Sequence, residues 1–179
     1  MIISGTVKSK QINKIIFCIM LFIFFTALSA CNSKTNYKLI SNNEYYKEIY
    51  NIQDTDLELV QMDFNTILNF EEAIPDEKYM IIFLSQSCEY STQFINQFIN
   101  HYNNHDYTFK KVYIFELNDY IIKNDKDATK DNREKFLKKF DIQSVPATLS
   151  IKNKKIFATE VGYYPENTLL EVIREFEKK

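Results

Sequence analysis

"YMIIFLSQSCEYSTQF", residues 79–94, is the stretch whose reading decides the fold. Its first six residues are apolar and contain neither Gly nor Pro, the pattern of a strand covered on both faces. From Glu89 onward the period changes. Tyr90, Phe94, Ile95, Phe98, Ile99 and Tyr102 fall at i, i+4, i+5, i+8, i+9 and i+12, one face of a helix. Cys88 stands at the turn between the two. A cysteine at such a turn points to redox chemistry, usually with a second cysteine three residues on. Here that place holds Ser91.

The flanking chain supplies the rest of an α/β pattern. Upstream, "LELVQM" (57–62) predicts a short strand, and "DFNTILNFEEAI" (63–74) a helix with Asp63 as N-cap, ended by Pro75. Downstream, "FKKVYIFEL" (109–117) predicts the next strand. The polar stretch after it carries Asp125, Asp127 and Asp131. It lacks the turn glycine and terminal glutamate of a calcium loop, so a solvated loop is expected and no metal. "REKFLKKFDI" (133–142) predicts a helix. "ATLSIKN" and "KIFATEV" predict a hairpin turning near Asn153 and Lys154. Pro165 opens a last amphipathic helix carrying Leu169, Leu170, Val172, Ile173 and Phe176. The order β-α-β-α-β-α-β-β-α predicts a mixed central sheet with helices on both faces and a C-terminal antiparallel hairpin plus helix. His101 and His105, four apart where the helix should fray, are expected to be surface histidines. No phosphate-cradling glycine loop is present and no cofactor is expected.

The first thirty residues stand apart. Lys8, Lys10 and Lys14 precede an uncharged apolar run, residues 15–30, which ends in small residues and is shorter than the ~20 residues of a spanning helix. This is the pattern of an export signal. Leu28-Ser29-Ala30-Cys31 resembles the lipobox of bacterial lipoproteins, which implies a lipidated Cys31 and attachment to the outer face of the cell membrane. Residues 31–54, rich in Asn, Ser and Lys, are expected to form a polar tether that becomes ordered toward Tyr45. Residues 55–179 then hold the domain. Residues 1–30 contain three of the 22 basic side chains and none of the 24 acids, so the remainder has a net charge of −5. Such a mildly acidic body does not suggest a nucleic-acid partner, which needs a basic stripe, and none is expected. Of the three cysteines, Cys18 leaves with the signal and Cys31 takes the lipid. Cys88 is then the one free thiol, unusual in an exported protein.

The strand, turn and helix around Cys88 resemble those that carry the C-x-x-C motif of the thioredoxin-like family. "KKFDIQSVPATLSI" (138–151) resembles the family's approach to its cis-proline, with Val145-Pro146 as the cis bond. "EVGYYPENTLLEVI" (160–173) resembles its glycine turn beside the active site. Gly162 is the one glycine beyond the signal, so its position is expected to need positive φ or close backbone approach. A plain turn glycine is the equal alternative. In its polar N-terminal part and long cysteine-to-proline interval the chain is similar to extracytoplasmic proteins of the bacteriocin transport accessory type. The resemblance implies that an extended substrate pairs with the backbone at Val145 and Pro146, close to Gly162, Glu89 and Tyr90.

Two functions remain open on the residues. The helix start offers unpaired N–H groups and a dipole to a thiolate at Cys88, and Ser91 could donate to it, while Glu89 opposes negative charge there. Serine cannot resolve a mixed disulfide, so Cys88 alone would act in isomerisation or hand its adduct to another thiol. The partners would be exported proteins or a membrane secretion or redox protein. The alternative is a non-redox binding or chaperone-like accessory for secretion or folding. The missing tryptophan before the motif and the wholly apolar strand "MIIF", without the buried carboxylate many family members place there, favour that alternative.

Overall fold

The protein is described by a computed structural model covering residues 37–117, 129–163 and 165–178. The expected export signal, Cys31, Asp125 and Asp127 lie outside the described residues. The elements in chain order are β1 (Leu39–Ser41), α1 (Asn43–Tyr50), β2 (Glu58–Met62), α2 (Phe64–Leu68), α3 (Phe70–Ala73), β3 (Lys78–Leu84), α4 (Glu89–Asn103), β4 (Lys111–Glu116), α5 (Lys130–Phe140), β5 (Ala147–Lys152), β6 (Lys155–Val161) and α6 (Glu166–Glu177).

The strands form a six-stranded mixed sheet in the order β1-β2-β4-β3-β5-β6. β3 lies inside it, parallel to β4 and antiparallel to β5. Its alternating side chains therefore divide between two cores. Met80, Ile82 and Leu84 pack with Phe94, Phe98, Ile99, Leu169 and Ile173 of α4 and α6. Tyr79, Ile81 and Phe83 pack with Phe64, Phe70, Phe136 and Phe140 of α2, α3 and α5. The continuous apolar run is thus explained by burial on both faces. Asn153 and Lys154, both at positive φ, form the β5–β6 turn where it was expected.

Several elements differ from the sequence expectation. Residues 39–50, read as part of a polar tether, form β1 and α1. β1 pairs antiparallel with β2, and α1 buries Tyr46 and Tyr50 completely. Only one face of α1 is apolar, and its polar remainder masks it in a composition reading. The helix expected over 63–74 breaks at Asn69, whose backbone N–H is shared between the carbonyls of Asn65 and Thr66. Its N-cap is Asp63 as expected, accepting the Thr66 N–H at 2.8 Å. α5 starts three residues before the expected position, because Thr129 caps it by accepting the Asn132 N–H. His101 is buried rather than exposed, since α4 continues to Asn103. Its ring packs 4.0 Å from that of His105 and its Nε2 meets the Tyr107 hydroxyl. No cluster able to hold a metal occurs among the described residues.

Candidate functional site around Cys88

β3 ends at Leu84, and a tight turn follows in which the Cys88 N–H donates to the Ser85 carbonyl at 2.9 Å. Cys88 takes extended φ/ψ and is the N-cap of α4. Its carbonyl accepts the N–H groups of Ser91 and Thr92, while its side chain makes no capping bond. Cys88, a partly exposed residue, thereby holds its sulfur at the helix end without a capping role. Its hydrogen bond goes to the Val145 carbonyl, 3.5 Å away. The Val145–Pro146 peptide bond is cis, as the resemblance implies.

Ser91 lies one turn into α4 and is fully buried. Its hydroxyl accepts the Ser85 N–H at 3.1 Å, so it ties the helix to the strand end instead of pairing with the sulfur. Glu89 is exposed and accepts from the Gln93 amide at 3.1 Å. Gly162 has φ +97°, which L side chains rarely adopt, and a Cβ there would meet nothing within 4 Å. The need is therefore conformational rather than spatial. Its N–H donates to the Pro146 carbonyl at 2.7 Å, fastening the turn after β6 to the proline. The structure brings Cys88, Val145, Pro146 and Gly162 into one connected arrangement, with Glu89 and Tyr90 at its edge.

Two groups escaped sequence reasoning. Tyr163 follows Gly162, and its ring stacks on Tyr90 with centroids 5.9 Å apart. The second is a buried carboxylate, Glu116, at the end of β4 opposite Leu84. It comes from the strand beside the one that carries the motif. The Tyr50 hydroxyl of α1 donates to its Oε1 at 2.7 Å, while its buried Oε2 has no hydrogen-bond partner among the described residues. Burial raises the Glu116 pKa above the ordinary carboxylate range, against the lowering effect of the Tyr50 donor and of the Gln86 backbone in the Cys88 turn. The signal in the sequence was alternation. Val112, Ile114 and Glu116 share one face of β4, but whether that face stays covered as far as Glu116 is not a local property.

Residues 71–177 match the family described as a thioredoxin-like domain. Solved structures similar to the chain include Chlamydomonas reinhardtii thioredoxin f2, at 14% identity and TM-score 0.45 over 66% of this chain and 97% of that one. They also include spinach chloroplast thioredoxin f in its short form, at 13% identity and TM-score 0.47 over 70% and 100%. A Schistosoma mansoni thioredoxin aligns at 15% identity and TM-score 0.45 over 68% and 99%. Comparison with curated protein sequences gives no match. The family match spans well over half of the chain, and the mixed sheet with helices on both faces has the arrangement the resemblance implied. The chain belongs to the thioredoxin-like domain family.

Proposed function

We propose that this protein exchanges disulfides through a single thiol, Cys88, on exported polypeptides, while anchored outside the cell membrane by lipid on Cys31. Family membership points to thiol–disulfide exchange as the general chemistry. The observation that carries the finer reading is the partly exposed residue Cys88, its sulfur 3.5 Å from the Val145 carbonyl and beside the cis-proline, with serine in the resolving place. Cys88 thiolate attacks one sulfur of a substrate disulfide. The Cys88–substrate disulfide forms, the substrate's own S–S bond breaks, and its other sulfur leaves as a thiolate. The adduct is then released by a second substrate thiol, giving isomerisation, or by a partner's thiol. The substrate chain lies extended along Val145, Pro146 and the Gly162 turn.

The purified chain mixed with a peptide disulfide is expected to release one thiol per chain and stop, holding the peptide on Cys88 by mass spectrometry. Addition of an external thiol restarts release. No adduct at Cys88, or repeated turnover without added thiol, would overturn the reading. A binding accessory using the same edge without chemistry is the second reading, favoured by the absence of a resolving thiol, and it gives no adduct. The anchor is supported by the lipobox resemblance alone. Among the described residues no helix is long and apolar enough to cross a membrane. Cys31→Ala is expected to move the protein out of the membrane fraction or leave its precursor unprocessed, and a processed variant that stays membrane-bound would refute lipid attachment.

A further inference from the structure

The exposed large apolar side chains of the described residues are few, and three of them border Cys88. Tyr90 follows it by two residues. Val161 pairs with Ala147, the residue after Pro146. Tyr163 follows Gly162, whose N–H is bound to Pro146. Tyr90 and Tyr163 come from different segments yet stack at 26° between ring planes, and they remain 59% and 44% exposed. Two rings joined across the edge of a reactive sulfur, with half their area left to water, form a surface for something that arrives with the substrate.

The charge around them narrows what arrives. The segments 85–92, 143–147 and 160–163 contain two acidic residues, Glu89 and Glu160, and no Lys or Arg. Glu89 is exposed beside Tyr90. An aromatic, anionic rim is complementary to a flat cation. A guanidinium stacks on a tyrosine face and forks onto a carboxylate, which a bare ammonium does less well and a carboxylate not at all. The same rim disfavours anionic small thiols such as glutathione as the resolving partner.

We infer that Tyr90, Tyr163 and Glu89 select polypeptide substrates whose disulfide cysteine is flanked by arginine. This rests on the exchange chemistry proposed above and names its substrate class. The test uses the purified chain and symmetrical disulfides of short peptides that differ only in the residue before cysteine, being Arg, Phe, Ala or Glu. Adduct formation on Cys88 is followed by mass spectrometry, with hydroxyethyl disulfide as a neutral reference. The arginine peptide is expected to react about tenfold faster than the alanine peptide, and the glutamate peptide slowest. The arginine advantage should shrink as salt is raised. Tyr90→Ala with Tyr163→Ala, and separately Glu89→Gln, should each lower the ratio of arginine to alanine rates. Phenylalanine equal to arginine, or a ratio unmoved by these variants, would overturn the proposal. Reaction with hydroxyethyl disulfide but no preference among the peptides would overturn it alone. No reaction with any disulfide would overturn the exchange chemistry and this selectivity with it.

Discussion

Ser91→Cys is expected to turn a protein that captures its substrate into one that lets it go. Residue 88 is the N-cap of α4 and residue 91 lies in its first turn, its backbone N–H bonded to the Cys88 carbonyl at 3.0 Å. Among the described residues of the wild type there is no second thiol to attack the Cys88 sulfur in the adduct. The introduced thiol attacks it, displaces the substrate as a thiolate and leaves an intramolecular disulfide. The adduct that accumulates to near one per chain in the wild type should fall below about a tenth of that in the variant. Repeated reduction of a disulfide-linked protein should then appear when dithiothreitol is supplied. The substitution carries its own expense, since Ser91 accepts the Ser85 N–H inside the structure. Weakening that buried bond should destabilise the fold by about 1–3 kcal/mol. A folded variant that accumulates adduct as the wild type does would sink the monothiol account, because the missing resolving thiol is its central claim.

Tyr50→Ala is expected to be among the most damaging single changes away from the sulfur. The side chain is fully buried, its ring stacks on Tyr46 at 6.4 Å, and its hydroxyl donates to Glu116. Removing a buried aromatic ring of this size generally destabilises by about 3–5 kcal/mol. Tyr50→Phe keeps the ring and removes only the donor, so its effect should be smaller and should depend on pH. The sign follows from linkage. Because the folded state raises the Glu116 pKa, the folded protein holds a proton that the unfolded chain has lost once pH passes the ordinary carboxylate range. Stability therefore falls as pH rises through the window between the unfolded and the folded value, and above it the whole penalty is present. Glu116→Gln should flatten that fall. Tyr50→Phe, which withdraws a donor that lowers the value, should extend it to higher pH. Urea unfolding midpoints measured across the pH range check both, and parallel curves for wild type and Glu116→Gln would refute the buried-charge account.

What could be read from the sequence, and what could not, separates along physical lines. The strand, turn and helix about Cys88 were legible because their signals are local: an unbroken apolar run, then a change of period. The β5–β6 turn was legible for the same reason. Glu116 was not, because its burial depends on β4 lying beside β3 in a register that sets it opposite Leu84. The same holds for Tyr46 and Tyr50. Their helix is polar on balance, and they enter the core only because β1 sets α1 over it. The site residues Cys88, Val145, Pro146 and Gly162 could be named from sequence, but their linkage through two backbone carbonyls could not. Nor could the meeting of Tyr90 with Tyr163, which are 73 positions apart.

β1 has one more consequence. It occupies the flank of the sheet next to β2, leaving only three residues of strand edge on that side. A version of the protein cut to the family-matched residues 71–177 would lose β1, α1 and β2 together. A cut just before residue 55 would keep β2 but strip its cover, baring its main-chain amides beside Leu59, Val60 and Met62. Open amides next to apolar side chains are a template for pairing with another chain. Shortened forms are therefore expected to self-associate, and the short strand at the start of the described residues acts as a guard against aggregation.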